Sequence, residues 1–196
     1  MKGKYLRLNY IGIVGGILAF ISLALPWWTL TLSAMGMSVN VSAYPYKATA
    51  SFMGLSMDIP MEAWYGSAAL VLIILGGILG ILGSVMPAKG KSILAIGGVL
   101  ALLSIIIFAA GLQGELSKGL TIPSPTTGGS SLPLPEIGLF SSGTWTMPGV
   151  PVPMNYTSYL SFGFWLALVA AIIIFAAIKK AVLTPAVPTP AAPPPP

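Results

Sequence analysis

Two apolar segments joined by a short basic turn decide the fold: AWYGSAALVLIILGGILGILGSVM at residues 63–86, PAKGK at residues 87–91, and SILAIGGVLALLSIIIFAAGL at residues 92–112. Neither apolar segment contains a charged residue. A helix rises about 1.5 Å per residue, so roughly 20 apolar residues cross a hydrocarbon core about 30 Å thick. The stretch therefore predicts two membrane-spanning helices, and the shortness of the turn makes them an antiparallel hairpin.

Composition places the whole chain in the same class. Only 7% of the 196 residues are charged and 56% are hydrophobic, whereas a soluble domain has about 25% charged residues. The net charge of +5 lies in small clusters beside apolar segments, which is the pattern of membrane orientation. We therefore predict an integral membrane protein with the lipid bilayer as its first partner, and no nucleic-acid partner.

The chain has neither Cys nor His, which excludes disulfides, thiolate nucleophiles, imidazole bases and His or Cys metal sites within this chain. Asp58 and Glu62 could form an acid–base pair on a helix, but Pro60 lies between them. We interpret them as solvated acids at a helix start. We predict no catalytic residue, no cofactor, no metal and no enzymatic activity, and we identify no small-molecule substrate.

The same criteria predict two more spans, one on each side of this hairpin, giving four in a single domain of residues 1–180. The expected spans cover residues 11–32, 63–86, 92–112 and 156–178, with outer loops at 33–61 and 113–155 and a Pro-rich tail at 181–196. A cleaved signal peptide ending near Ser22-Leu-Ala24 is an alternative for the first span. We favour a retained helix because the apolar segment is long and ends at paired Trp residues.

The basic residues predict the orientation of the chain. Threading four spans with both termini in the cytoplasm of a cell-membrane protein leaves only Lys47 and Lys118 outside. The other seven fall inside: Lys2, Lys4, Arg7, Lys89, Lys91, Lys179 and Lys180. The tail favours polyproline II and contains Pro185-x-x-Pro188, so it is either disordered or read by a proline-recognition partner.

The outer loops carry a strand pattern. Residues 29–33 and 38–42 alternate polar and apolar side chains around a turn at 34–37, and a third strand is expected within 49–59. An irregular loop is the alternative to this small sheet. Residues 139–147 of the second loop could add a strand or dock on the first loop. The predicted fold class is an all-α integral membrane protein, a four-helix transmembrane bundle with a small extracytoplasmic antiparallel β-sheet from the outer loops.

Small residues recur along every predicted span at spacings of four. Such ridges allow helix backbones to approach closely in lipid. They are expected to pack inside a left-handed bundle or, alternatively, against another subunit. The predicted packing residues are Gly12, Gly16, Gly76, Gly80, Ser84, Gly97, Ala101, Gly163, Ala167 and Ala171.

Two further sets of side chains are assigned from sequence. The polar side chains within the spans are expected to bond to their own helix backbone; they are mainly Ser22, Ser67, Ser84 and Ser104. Asn40-Val-Ser is a candidate glycosylation sequon, and Asn155-Tyr-Thr is a weaker one close to the membrane. The aromatic residues expected to anchor span ends at the membrane interface are Trp27, Trp28, Trp64, Tyr65 and Trp165.

The layout resembles that of the claudin and tetraspan superfamily: four spans, internal termini, and a first outer loop with strand pattern after a helix ending near Trp. The claudin signature Trp…Gly-Leu-Trp-Cys-Cys is absent, since Gly54-Leu55 is followed by Ser56 and the chain has no Cys. The second outer loop is also the longer one here. The resemblance implies adhesion or sealing between cells and assigns no functional residue.

The leading functional hypothesis is a non-catalytic membrane protein that acts by contact. It would be an accessory or scaffold subunit of a membrane assembly or a cell-surface component, with a membrane-protein partner or a second copy. The alternatives are claudin-like adhesion or sealing, and a small pore or permease. Because the spans lack the ionisable residues that coupled transport uses, the last alternative is the least supported.

Overall fold

The computed structural model describes residues 8–59, 63–86, 90–118, 121–123, 131–133, 137–146 and 152–182. Its four helices are α1 (Tyr10–Leu23), α2 (Trp64–Val85), α3 (Gly90–Ser117) and α4 (Phe162–Val182). Its eight strands are β1 (Trp28–Ala34), β2 (Met37–Ala43), β3 (Ala48–Phe52), β4 (Leu55–Ile59), β5 (Thr121–Pro123), β6 (Ser131–Pro133), β7 (Ser141–Thr146) and β8 (Pro153–Leu160). The predicted Pro-rich tail from residue 183 onwards lies outside the described residues.

Three helices are long and apolar enough to cross a membrane: α2, α3 and the part of α4 from Phe162 to Lys179. The central hairpin agrees with the sequence prediction to within a residue for α2, while α3 continues five residues past the expected end at residue 112. Helix α1 is apolar but has only 14 residues, about 21 Å at the usual rise. The described chain is therefore a helical domain with three membrane-capable helices and one shorter apolar helix.

Two predicted span boundaries are wrong. The first span was expected to run to Leu32, but α1 ends at Leu23 and β1 begins at Trp28. Pro26 explains the break, because proline lacks an N–H and clashes with the preceding helical turn. The fourth span was expected to begin at Tyr156, but that residue lies in β8 and α4 begins at Phe162. At both places, residues expected to extend an apolar helix form a strand, β1 in the first case and β8 in the second.

The helices contact one another in a ring. Helix α1 packs against α2 and α4, and α3 packs against the same two helices. One end of the helices carries the sheet, and we call it the sheet end. The opposite end holds the start of α1, the end of α2 and the start of α3, and there the backbone N–H of Asn9 donates to the carbonyl of Ser84 over 3.1 Å.

The sheet is larger than the predicted all-α fold with a small sheet allowed. Six antiparallel strands form it in the order β4-β3-β2-β1-β8-β7, and β5 and β6 form a separate pair. The central pair is β1 with β8, in register from Trp28 opposite Leu160 to Ser33 opposite Asn155. Strands from both predicted outer loops therefore share one sheet, and the fold is mixed helix and sheet.

Two hairpins of the sheet close through the same dipeptide. Met35-Gly36 joins β1 to β2 and Met53-Gly54 joins β3 to β4, and all four residues have positive φ angles between 48° and 83°. Positive φ at both central residues is the pattern of the type I′ turn, whose twist matches that of paired strands. The expected turn at 34–37 and the third strand within 49–59 are present, and residues 55–59 add a fourth strand.

Candidate interaction surfaces

The connection between α1 and the sheet centres on Trp27, which is fully buried. Its ring packs edge-on against Phe108 of α3 at a centroid distance of 5.0 Å and against Phe164 of α4 at 6.2 Å. Its indole Nε1–H donates to the carbonyl of Ser22 over 3.0 Å. One side chain thus ties the last turn of α1 to the ends of two other helices.

The backbone polar groups of Pro26 and Trp27 are all hydrogen-bonded. The N–H of Trp27 donates to the carbonyl of Ala43 over 2.8 Å, and its carbonyl accepts from the N–H of Ser161 over 2.9 Å. The carbonyl of Pro26 accepts from the N–H of Gly163, also over 2.9 Å. Irregular backbone is tolerated at membrane depth only where protein surrounds and satisfies it. Both conditions hold here, so the sheet is anchored among the helix ends.

Gly163 has a different contact from the expected one. A Cβ at this position would lie 2.5 Å from the carbonyl oxygen of Leu25 and 2.6 Å from Cδ1 of Trp27. The residue therefore makes room for the Pro26–Trp27 segment and not for a facing helix. Ala167 and Ala171 on the same helix are fully buried.

The other small residues assigned from sequence lie at helix–helix contacts. A Cβ on Gly76 would lie 2.9 Å from the carbonyl oxygen of Gly97, and one on Gly16 would lie 2.7 Å from that of Gly77. Gly80 and Gly12 face each other across α2 and α1, with Ser84 beside them. Real Cβ atoms are not found this close to backbone oxygens, so these residues are used for contacts within the chain.

The outward helix faces carry large aliphatic side chains instead. Val14, Ile17 and Ile21 of α1 are all close to half exposed. The other helices repeat the pattern with Val71 and Leu75, with Ile96, Val99, Leu103 and Ile106, and with Val169 and Ile172. Branched aliphatic side chains facing outward on every helix are what a lipid environment requires.

Three of the five predicted interface anchors do not face a membrane interface. Trp27 is fully buried, and Trp28 and Tyr65 are each 3% exposed, because the sheet and the helix ends enclose them. Trp64, at 70%, and Trp165, at 48%, are exposed at the starts of α2 and α4. Of the five, only these two are exposed at a helix start.

Some buried polar side chains bond between helices, and these bonds were not expected from the sequence. Ser22 and Ser84 bond within their own helices, as expected, to the carbonyls of Ala19 and Gly80. Ser104 of α3 instead donates across to the carbonyl of Ala69 in α2 over 2.8 Å. Asn9 was not singled out, although a polar residue before an apolar segment is a helix-start signal. Its Nδ2 donates to the carbonyl of Ala177 in α4 over 2.8 Å.

The six-stranded sheet has one polar face, which we call the hydroxyl face. It is the set of alternate residues that includes Thr31 of β1, Asn40 of β2 and Ser142 of β7. Cross-strand bonds join its side chains, including Thr31 Oγ1 to Asn40 Oδ1 at 2.8 Å and Thr144 Oγ1 to Asn155 Oδ1 at 3.1 Å. Hydroxyls and amides, and almost no charges, make up this face.

The opposite face of the sheet is apolar and only partly covered. At its centre, Leu30 and Leu32 of β1 are buried in one cluster with Leu112 and Leu116 from the end of α3. Helix α3 thus extends past the other helices to cover the sheet. Towards β4 the cover ends, and Leu55 and Met57 are 73% and 70% exposed.

The predicted acidic residues and the Asn40 sequon lie in surroundings that differ from those expected from the sequence. Asp58 lies in β4, not on a helix, and its carboxylate pairs with Lys47 at 3.3 Å; Glu62 lies outside the described residues. Asn40 is half-buried in mid-strand with its Oδ1 bonded to Thr31. Among the described residues no group of three or more His, Cys, Asp or Glu is placed to hold a metal ion.

Comparison with known proteins finds no family model that matches this chain and no curated protein that matches it. The observed helices, three of them long and apolar, are compatible with a multi-span membrane layout.

Proposed function

We propose that this chain is a non-catalytic multi-pass protein of the cell membrane that acts by contact, with four membrane segments forming a bundle. Both termini would lie in the cytoplasm and the sheet outside the cell. The single observation that carries the proposal is the sheet itself. Six strands from two separate parts of the chain are anchored among the helix ends at Trp27 and present an ordered face of hydroxyls and amides.

The basic residues support this orientation. Lys91, at the start of α3, and Lys179, near the end of α4, both lie at the helix ends away from the sheet. Lysine beside a span favours the cytoplasmic side. The sheet side carries both described ion pairs, Lys47 with Asp58 and Lys118 with Glu115, so its two lysines have local acidic partners.

The sheet is a better candidate for the contact surface than the helices. The small residues that could have received a partner helix are occupied by contacts within the chain. The outward helix faces are aliphatic and suit lipid. A membrane-protein partner or a second copy would therefore meet this protein through the sheet, which favours the cell-surface component over the scaffold that binds through its spans.

Site-specific photo-crosslinking in native membranes tests this proposal. A photoreactive amino acid at Ser142, exposed on the hydroxyl face, should give protein adducts of defined mass. The same group at Ile96, which is 55% exposed on α3, should give mainly lipid adducts and serves as the control. Protein adducts at position 96 with none at position 142 would contradict the proposal and favour a subunit that binds through its spans.

Adhesion between cells is a second candidate, favoured by the position of the sheet at one end of the helices. Cells that display the protein should aggregate. The double variant Ser56→Arg/Ser142→Arg, which adds two cations to exposed positions on opposite edge strands, should abolish aggregation at an unchanged surface level. Aggregation that survives this variant would remove the hydroxyl face from the adhesion hypothesis.

A further inference from the structure

The two Met-Gly turns place a cluster of exposed apolar side chains at the end of the sheet farthest from the helices. The strand registers fix this position, since Trp28 and Ala43 pair at the helix end while Ala34 and Met37 pair at the other. Met35 and Met53 are 76% and 72% exposed. We call the cluster the apolar tip; it comprises Met35, Met37, Phe52, Met53 and Leu55.

Two side chains of the apolar tip project outward. Met35 and Met53 each hold the first position of a two-residue turn, so their side chains project from the ends of hairpins. A protein partner of fixed shape would need a matching cavity for each projection. Hydrocarbon deforms around projecting side chains and needs none. Three of the five are methionines, whose unbranched chains adapt readily to irregular surroundings.

A second copy of the chain is a poor match for the same surface. The cleft between the two turns, about 250 Å³ in volume, is lined by Ser38, Asn40 and Ser51 together with Met37, Met53 and the two turn glycines. Tip-to-tip contact would press methionines of one copy onto this partly polar cleft or onto other projecting methionines. Neither arrangement buries the apolar side chains well.

Charge points to a neutral lipid surface. From Thr29 to Met57 the only charged residue is Lys47, and it lies at the helix end of the sheet, paired with Asp58. The tip therefore gains nothing from anionic lipid and carries no charge that would resist insertion. Serine hydroxyls next to it, such as Ser38 and Ser56, suit the level of lipid headgroups.

From these observations we propose that the apolar tip inserts into the interface of a second bilayer that faces the one the helices span. The inference rests on the proposed placement of the sheet outside the cell, and it names neutral phospholipid as the ligand. Insertion would bury the tip side chains among the outer acyl chains, with binding proportional to the apolar area removed from water.

The test uses the full chain in phosphatidylcholine nanodiscs mixed with protein-free phosphatidylcholine vesicles. Because the chain has no Cys, a single fluorophore that responds to polarity can be attached through Met53→Cys. Its emission should shift to shorter wavelength on addition of vesicles and be quenched by nitroxide lipids in them. The same fluorophore at Ser142→Cys, exposed on the far edge strand, should show neither change.

Co-flotation measures the binding itself. The triple variant Met35→Ser/Met53→Ser/Leu55→Ser should lower the affinity for vesicles about tenfold or more. A tenfold loss of affinity corresponds to roughly 1.4 kcal/mol of binding free energy. The conservative variant Met35→Leu/Met53→Leu should bind as the unmodified chain does. Replacing a third of the vesicle lipid with an anionic one should leave binding unchanged.

Three results would overturn the inference: no emission change at position 53, co-flotation unaffected by the serine variant, or association only with discs that also carry the protein. The last result would assign the tip to a second copy. If vesicles fail to bind while crosslinks at Ser142 still form, the tip inference fails and the proposed contact function stands. If neither occurs, both fail.

Discussion

At the scale of single residues, Trp27 and the helix glycines carry the packing argument. Helix α1 ends before Trp27, and the Trp27 ring fills the space between α3 and α4. The Trp27 backbone is held by hydrogen bonds to Ala43 and Ser161. From sequence it was expected to sit at the membrane interface, since paired tryptophans often do. The surroundings that bury it come from distant parts of the chain, so no local pattern could reveal them.

Trp27→Ala should destabilise the protein strongly. Truncating a fully buried tryptophan leaves a large cavity and removes the Nε1 bond to Ser22, which typically costs about 3–5 kcal/mol. Unfolding in mixed detergent micelles measures the change. Trp64→Ala, at a position 70% exposed, is the matched control and should change the free energy of unfolding by less than about 1 kcal/mol. Equal effects of the two substitutions would contradict the assigned role of Trp27.

Gly76 and Gly114 offer a paired test of close helix approach. Gly76→Ala places a methyl group 2.9 Å from the carbonyl oxygen of Gly97 and 3.0 Å from the backbone nitrogen of Ala101. Because backbone cannot move aside cheaply, a loss of about 1–3 kcal/mol is expected. Gly114→Ala, on α3 with open space around it, should instead stabilise by up to about 1 kcal/mol. The opposite order would refute the packing of α2 on α3.

At the scale of elements, the most accurate sequence predictions concerned segments with one uninterrupted pattern, either apolar throughout or regularly alternating. The limits of α2 were predicted to within a residue because every turn of that helix is apolar. Strands β1 and β2 were anticipated from alternation. The ends of α1 and α4 were mistaken because Trp28–Leu32 and Tyr156–Leu160 are apolar enough to extend a span. The pairing of β1 with β8 joins two segments that are far apart in the sequence, so it has no local signature.

The Met-Gly turns allow a prediction about the hairpins. Met35 and Met53 have φ angles of 50° and 48°, a left-handed conformation that costs a non-glycine residue about 1–2 kcal/mol and that Asn tolerates better. Met35→Asn/Met53→Asn should therefore stabilise the sheet by about 0.5–1 kcal/mol for each turn. Amide exchange in β1 to β4 is the readout. Faster exchange in the variant would show that the turn geometry is not as described.

At the scale of the whole molecule, different kinds of apolar residue occupy surfaces with different surroundings. Small residues face other helices, branched aliphatic residues face outward along the helices, and the inner face of the sheet lies on the end of α3. A hydroxyl face and an apolar tip remain at the sheet. That division explains why sequence could predict a membrane protein from composition alone but could not indicate which surface would be left for contact.

Accessibility labelling of single cysteines in intact cells tests the central claim, that the sheet faces the outside and the far helix ends face the cytoplasm. The natural chain has no Cys, so each introduced thiol reports alone. Ser142→Cys should react with a membrane-impermeant maleimide on intact cells, and Lys91→Cys should react only after permeabilisation. Labelling of position 91 on intact cells, with position 142 protected until permeabilisation, would contradict the account.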